Sequence, residues 1–244
     1  MDLNENTRGI LRLPLEEYGR TALGAPLRYI PCKGECKLLI IAGIHGEEPE
    51  TTFLLSRCLR AFGEPFQNAA FILCANPDGM TLGTRGNANG VDLNRNFPTS
   101  NWKEGYVYSR SILEAPRDTA LFAGKALNLS GDNALSELPP QLVPEPEVLS
   151  LLHLLNELKP QSVISIHAPI GCVDAPSNTL LVNALCETFN LPWVPDIGYP
   201  TPGSFGTWCK ENSLECVTLE LPRLSLEALF DRYGIAFMEF LSRV

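Results

Sequence analysis

Long apolar stretches, basic clusters and histidines are all scarce in this chain of 244 residues. No apolar run approaches the roughly 20 residues needed to cross a bilayer, which argues against a membrane-spanning helix. The 28 acidic residues outnumber the 19 basic ones, so the net charge is −9. This balance argues against a nucleic-acid surface and against binding to an anionic membrane. An anionic substrate would therefore need basic residues placed locally.

The N-terminus and the cysteines indicate the compartment. Residues 1–6 are polar and acidic and lack the basic and apolar regions of a secretory signal, so we expect a cytoplasmic protein. The eight cysteines lie mostly in apolar contexts and are expected to be reduced. Cys32 and Cys36 resemble half of a metal site, but no second pair follows. The sequence does not fix the oligomeric state and leaves a homodimer open.

Continuous apolar strands alternate with amphipathic helices along the chain. This order predicts an α/β fold in a single domain, with a mixed, mainly parallel twisted β-sheet and helices on both faces. The predicted strands are 37–44, 69–75, 162–166 and 216–221, and the predicted helices are 50–62, 145–158, 178–189 and 225–242. Residues 1–36 would form an N-terminal segment with a strand at the sheet edge, 37–224 the body, and 225–244 the C-terminal helix.

Three further stretches are predicted to be irregular. Asn76–Gly79 has the residue types of a tight turn. Residues 81–105 form a polar loop that is long for one without its own secondary structure, which hints at a functional role. Residues 116–146 read as irregular surface.

Polar side chains follow the predicted strands at their carboxyl ends, where ligands bind in open α/β sheets. His45 and Glu48 come after the first strand, and His167 ends the third. A catalytic zinc takes three protein ligands and keeps a position for water, so we expect these three residues to hold one Zn²⁺. Gly43 and Gly46 would let the backbone turn sharply enough for the first two to face one ion.

Two other features suggest catalysis. The Gly- and Asn-rich stretch Gly83–Pro98 contains Arg85 and Arg95, and arginine binds carboxylates and stabilises oxyanions. Glu220 lies within an apolar strand, where an unpaired buried carboxylate costs several kcal/mol and so requires a reason.

Five motifs, taken in chain order, resemble the zinc carboxypeptidase family. They are His45-x-x-Glu48, Asn94-Arg95-Asn96, His167, Tyr199–Trp208 and Thr218–Leu221. The likeness runs from about Ile40 to Leu221, and the strand-end context of the motifs also matches. One departure is Glu47, which stands where the family pattern leads us to expect Asp.

The resemblance implies a role for each polar residue. Glu220 resembles the general base, and Arg85 resembles the arginine that polarises the scissile carbonyl and stabilises the oxyanion. Asn94 and Arg95 resemble the pair that binds the terminal carboxylate of the substrate. Tyr199 resembles the mobile tyrosine that closes over it.

Within the family, the likeness is strongest to members that cleave the γ-D-glutamyl–meso-diaminopimelate amide bond of the murein tripeptide. The stretches that carry it are Tyr18–Arg20, Leu23–Leu27, Asn76–Gly79, Asn87–Pro98, Asn101–Gly105 and Gly198–Cys209. The implied partner is thus a small peptide. Its distal ammonium would meet Asp174 and its distal carboxylate Arg223, an expectation from position alone.

Other functions stay open from the sequence. One is a general zinc carboxypeptidase, and another is a deacylase of the succinylglutamate desuccinylase or aspartoacylase type, since these relatives share the zinc ligands. A binding module that has lost catalysis is a third, although the complete set of polar residues argues against it. The ligand types favour zinc, but affinity order alone does not exclude other metals.

Overall fold

The computed structural model describes residues 8–104 and 143–244. Its strands are β1 (Glu16–Arg20), β2 (Pro26–Tyr29), β3 (Leu38–Ile41), β4 (Ala69–Ile72), β5 (Ser162–His167), β6 (Ile170–Asp174), β7 (Trp193–Val194) and β8 (Glu215–Pro222). Its helices are α1 (Pro49–Leu59), α2 (Pro77–Leu82), α3 (Pro146–Leu158), α4 (Leu180–Phe189), α5 (Phe205–Glu211) and α6 (Leu226–Leu241), with a 3₁₀ turn at Leu93–Arg95.

Six of the strands form one twisted sheet in the order β4-β3-β5-β8-β6-β7. Strands β4, β3, β5 and β8 run parallel to one another. Strand β6 is antiparallel to β8, and β7 is parallel to β6. The predicted mixed, mainly parallel sheet is therefore confirmed, and the direction reverses once, between β8 and β6.

Side chains alternate between the two faces of the sheet and pack into two hydrophobic cores, one on each face. Leu38 and Ile40 of β3 join the core that contains α1, α4 and α6. Leu39 and Ile41 join the opposite core, which contains α3 and α5. Strand β8 alternates in the same way, with Val217 and Leu219 in the first core and Cys216 packed against the second. Helices thus cover both faces, as predicted.

The N-terminal segment differs from the expectation. Strands β1 and β2 pair with each other in a separate antiparallel sheet, and an isolated bridge between Ile30 and Phe71 links this segment to the main sheet. The segment thus reaches edge strand β4 through the bridge at Ile30, where a strand of the main sheet was expected. The hairpin satisfies its own backbone hydrogen bonds, and the N–H of Ala22 donates to Glu147 Oε1 at the start of α3, at 3.0 Å.

Two of the segments expected to be irregular contain helical structure. Asn76 caps α2 by accepting the N–H of Gly79 at 2.9 Å, so the expected turn chemistry begins a helix instead. The loop 81–105 contains the 3₁₀ turn. Of the stretch 116–146, residues 116–142 lie outside the described residues, and Pro146 begins α3.

Three elements, β6, β7 and α5, were not predicted from the sequence. All are short, and proline-rich sequence borders β7 and α5. Ser225 caps α6 through the N–H of Ala228, as expected. No helix within residues 8–104 and 143–244 combines the length and apolar character needed to span a membrane.

Replacing Phe237 by Ala should lower the free energy of unfolding by about 3–5 kcal/mol. Phe237 is fully buried in α6, where its ring contacts Phe189 and Phe240. The matched control is Ile235→Ala on the same helix, because Ile235 is 51% exposed. Urea denaturation measures both variants, and equal losses of stability would contradict the assigned core.

Candidate active site and metal centre

Two glycines shape the backbone around the first histidine. Gly43 follows β3 with φ of 67°, a left-handed conformation that glycine adopts at little cost. Gly46 has a different task from the one expected. A Cβ at Gly46 would overlap the backbone of Gly79 at the start of α2, so glycine is needed there for close approach. The chain can then return from His45 to Glu48, which directly precedes α1.

The three predicted ligands converge within the described part of the chain. Nδ1 of His45 lies 2.7 Å from Glu48 Oε1, and Nδ1 of His167 lies 3.2 Å from Glu48 Oε2. The two Nδ1 atoms are 3.2 Å apart. The ligand atoms of the three residues all lie within 4.8 Å of one another, close enough to bind one metal ion. Zinc ligands lie about 2.0–2.2 Å from the ion, so donors with these separations can share one zinc.

The outer ring nitrogens of both histidines are also occupied. Nε2 of His45 lies 3.2 Å from Asp92 Oδ1, and Nε2 of His167 lies 3.1 Å from Ser165 Oγ. A histidine that donates its outer N–H in this way keeps the other nitrogen free for a metal and is held in orientation. Ser165 and His167 project from the same side of β5 because they are two residues apart.

Sequence reasoning missed both of these partners. Asp92 lies in the loop that was singled out for its arginines, and a carboxylate two residues before Asn94 was the available signal. For Ser165, the only available signal was its position two residues before His167, which places both side chains on the same face of a strand. Both are buried, at 5% and 2% exposed respectively.

The site concentrates charge in a buried place. Burial opposes a charge on His45, but Glu48 and Asp92 outweigh it and raise the pKa of His45 to about 9. Burial likewise disfavours the Glu48 carboxylate, yet the two histidines hold its pKa well below the usual range. The pKa of Asp92 is lowered in the same way, with His45 outweighing burial. The carboxylates thus stay ionised, which is the form that a cation requires.

Glu220 lies beside this cluster, next to His167 in the register of β5 and β8. Adjacent strands are about 4.8 Å apart, so a side chain here reaches the space in front of the ligands. Glu220 is 8% exposed, and its Oε2 accepts the N–H of Ile170 at 3.5 Å. Burial is the main cause that raises the pKa of Glu220. A carboxylate with a raised pKa is better suited to accept a proton.

Arg85 crosses from the loop to the ligands. Its Nε donates to Asp92 Oδ2 at 2.8 Å, and its Nη1 lies 3.6 Å from Glu48 Oε1. The same Nη1 is 3.5 Å from Glu47 Oε1, so the residue that departs from the expected Asp still faces the arginine. Asp92 therefore orients both His45 and Arg85.

Asn94 and Arg95 lie on the 3₁₀ turn and line the same cavity. Oδ1 of Asn94 accepts the N–H of Phe205 at 2.8 Å, which leaves its amide NH₂ for another acceptor. Arg95 is 9% exposed, and its Nη1 donates to the carbonyl of Asn94 at 2.6 Å. No carboxylate in the described residues forms an ion pair with Arg95. Tyr199 is 49% exposed and lines the cavity from the loop before α5.

The cavity has a volume of about 790 Å³ and includes the three ligands, Glu220 and Asp174 in its lining. Burial, and then the charge of Asp196, raises the pKa of Asp174. Arg223 does not meet its expectation. It is exposed beyond the end of β8, it is not among the residues that line the cavity, and its charge acts on Glu50 instead.

Sequence comparison identifies the class of protein. A family model described as zinc carboxypeptidase matches residues 15–170. The chain belongs to the zinc carboxypeptidase family and is a zinc metallopeptidase. The buried His-Glu-His donor set agrees with the metal for which the family is named.

Two relatives are similar to this chain over nearly its whole length. Murein peptide amidase A of Escherichia coli (strain K12) is 40% identical over 237 residues, which are 96% of this chain and 92% of the relative. The protein of the same name from Vibrio campbellii (strain ATCC BAA-1116) is 42% identical over 227 residues, 92% of this chain and 86% of the relative.

Solved structures agree with the fold. The crystal structure of murein-tripeptide amidase from Escherichia coli O157 matches with a TM-score of 0.78 and 35% identity, covering 98% of this chain and 95% of that chain. Thrombin-activatable fibrinolysis inhibitor matches with a TM-score of 0.62 at 19% identity, over 95% of this chain and 71% of that chain. At that identity the second likeness shows the fold alone.

Replacing Asp92 by Asn should weaken zinc binding by about 10–100-fold, because a carboxylate that holds a ligating histidine supports metal affinity to that extent. Competition with a chromophoric chelator measures the affinity. Asp231→Asn, on the exposed face of α6, is the control. An unchanged zinc affinity in Asp92→Asn would remove Asp92 from the metal centre.

Proposed function

We propose that this chain hydrolyses the γ-D-glutamyl–meso-diaminopimelate amide bond of the murein tripeptide L-Ala-γ-D-Glu-meso-Dap and releases diaminopimelate. One Zn²⁺ per chain would be held by His45, Glu48 and His167. The convergence of these three buried donor groups supports the metal site. The names of the relatives, which cover nearly the whole chain, support the substrate.

A zinc ion held there would supply Lewis acidity, polarising a carbonyl and lowering the pKa of a bound water from 15.7 to roughly 7. Glu220 is the general base in this proposal. It takes the proton of the attacking water and returns it to the nitrogen of the leaving diaminopimelate. Its burial beside His167 and its raised pKa suit this transfer in both directions.

Arg85 is the proposed electrophilic residue. Negative charge develops on the carbonyl oxygen as water attacks, and a fixed donor at that position stabilises it. The bond from Nε to Asp92 holds the guanidinium in place, while Nη1 faces the metal ligands. The donor is therefore already oriented before substrate binds.

The observation that carries the proposal is the state of Arg95. This guanidinium is nearly buried, lines the same cavity as the ligands, and has no carboxylate partner within the described parts of the chain. Asp92 attracts this cation through space, but burial outweighs that attraction and lowers the pKa of Arg95. A buried charge that is poorly compensated within the protein is costly, so Arg95 favours a ligand that brings a carboxylate into contact with it. The carboxylate adjacent to the scissile amide of the murein tripeptide would bind Arg95 and the free amide group of Asn94. Tyr199 would close over it from the exposed loop.

Asp174 would meet the ammonium at the far end of the diaminopimelate. Strand β6 ends at Asp174, which pairs in register with Thr218, two residues before Glu220. We also propose a cytoplasmic location and a role in recycling murein peptides. All eight cysteines are free, in agreement with a reducing compartment.

Purified, zinc-loaded protein should release free diaminopimelate from the murein tripeptide, and a chelator should abolish this activity until zinc is restored. Product analysis by mass spectrometry checks both results. Parallel assays use an ordinary C-terminal dipeptide and N-succinyl- and N-acetyl-amino acids. Faster turnover of one of these, with no diaminopimelate released, would reject the proposed substrate in favour of a general carboxypeptidase or a deacylase.

Glu220→Gln should abolish turnover and leave zinc binding intact, because the amide retains the shape of the side chain but accepts no proton at neutral pH. A loss of about 10²–10⁴-fold in kcat is the usual range for such a residue. Glu239→Gln on the exposed side of α6 is the control. Near-normal kcat with full zinc content in Glu220→Gln would rule out Glu220 as the base.

A further inference from the structure

The cavity extends past the catalytic residues along β8 and α5. Beyond Glu220 its lining includes Thr218 of β8, and Gly206 and Lys210 of α5. Arg85 and Arg95 already have tasks at the scissile bond. Among the described residues that line the cavity, Lys210 is the remaining Lys or Arg.

Gly206 and Lys210 are four residues apart, so they lie on the same face of α5. A Cβ added at Gly206 would meet no atom within 4 Å, so this face of the helix borders open space. Helix side chains lean towards the N-terminus, which tilts Lys210 over the turn that contains Gly206. The missing side chain at Gly206 thus leaves room for the lysine and a ligand together.

Backbone hydrogen bonds at the end of α5 hold the main chain of Lys210 in place. The carbonyl of Lys210 accepts the N–H of Ser213 at 3.2 Å, and Leu214 N–H donates to the carbonyl of Cys209 at 2.9 Å. Ser213 takes a left-handed φ of 56° to make this turn and also lines the cavity. In residues 8–104 and 143–244, the Lys210 ammonium forms no ion pair with a carboxylate.

Two aspartates lie on another part of the lining, while Glu215, at the start of β8, lines the cavity beside α5. Asp174 ends β6, and Asp196 follows β7 in the neighbouring loop. The cavity beyond the scissile bond therefore presents a cation from α5 and two aspartates from the β6–β7 side. Asp174 is level with Thr218, two residues from Glu220 along β8. Thr218 and Glu220 are about 7 Å apart along β8, at the rise per residue of an antiparallel strand.

We propose that Lys210 is a specificity-determining residue that binds the distal carboxylate of the leaving diamino acid, while Asp174 and Asp196 face the ammonium on the same carbon. This inference rests on the proposed function, since it assumes that a diaminopimelate-type residue leaves through this part of the cavity. It replaces the expected role of Arg223, which lies outside the cavity. It also adds a second local cation, beside Arg95, in a chain of net charge −9 that has to accept a substrate with two carboxylates.

A lysine near a helix C-terminus also has a structural explanation, because it interacts favourably with the last carbonyls. The two roles predict different outcomes. A purely structural lysine affects every substrate equally. A lysine that binds the distal carboxylate affects only substrates that carry that group.

The test compares two tripeptides on the zinc-loaded protein, one ending in meso-diaminopimelate and one ending in L-lysine, which lacks the distal carboxylate. Wild type should prefer the first. Lys210→Met should lower kcat/KM for the diaminopimelate substrate by about 10-fold or more, the usual scale for losing a hydrogen bond to a charged group. The same variant should not lower kcat/KM for the lysine substrate, because that substrate brings no carboxylate to Lys210, and Lys210→Arg should recover most of the preference.

Lys37→Met is the matched control, because Lys37 is exposed, lies at the amino end of β3 and does not line the cavity. Equal losses on both substrates, or a wild type indifferent to the distal carboxylate, would overturn the role of Lys210 and leave the proposed function intact. Failure of the wild type to release diaminopimelate at all would overturn the proposed function, and the role of Lys210 with it.

Discussion

The structure depends on keeping three ligand groups together in a place that excludes water. His45, Glu48 and His167 are each at most 6% exposed. Burial of their charges is unfavourable unless each has a partner of opposite sign. The carboxylates provide one side of that balance, since Glu48 faces both histidines and Asp92 faces His45. A divalent cation at the centre would replace protons on the histidines, and the surrounding acidic groups suit that charge.

This balance reaches well beyond the ligands through the loop that contains Arg85 and Arg95. Asp92 ties the loop to His45, and Asn87 ties it to α3 by donating to Glu145 and Glu147. Glu147 also accepts the N–H of Ala22 from the N-terminal hairpin. The hairpin therefore braces α3, α3 braces the loop, and the loop positions a guanidinium and a ligand partner. A segment far from the chemistry in sequence thus helps fix the geometry of the site.

The parts that could be predicted from sequence are those with local signals. Apolar strands such as Leu38–Ile41 can be predicted from their composition. His45 and Glu48 follow this strand closely in sequence. Partners such as Ser165 and Asp92 gain meaning only when the fold brings them to a histidine nitrogen. Arg223 fails for the same reason, because proximity to Glu220 in sequence does not place it on the same side of β8. Strands β6 and β7 escaped prediction since short strands bordered by proline lack periodicity.

The reversal of strand direction at β6 separates two tasks. The parallel strands β3, β5 and β8 bring the ligands and Glu220 to one edge, as carboxyl ends of parallel strands do. Strand β6 runs the other way, and its pairing with β8 extends from the pair Ile170–Pro222 to the pair Asp174–Thr218. The first residues of β8, Glu215–Val217, therefore have no β6 neighbour, and they line the cavity beside α5. The parallel part of the sheet builds the metal centre, and the gap left by the reversed strand makes room for the end of the substrate, so residues there can change specificity without disturbing the ligands.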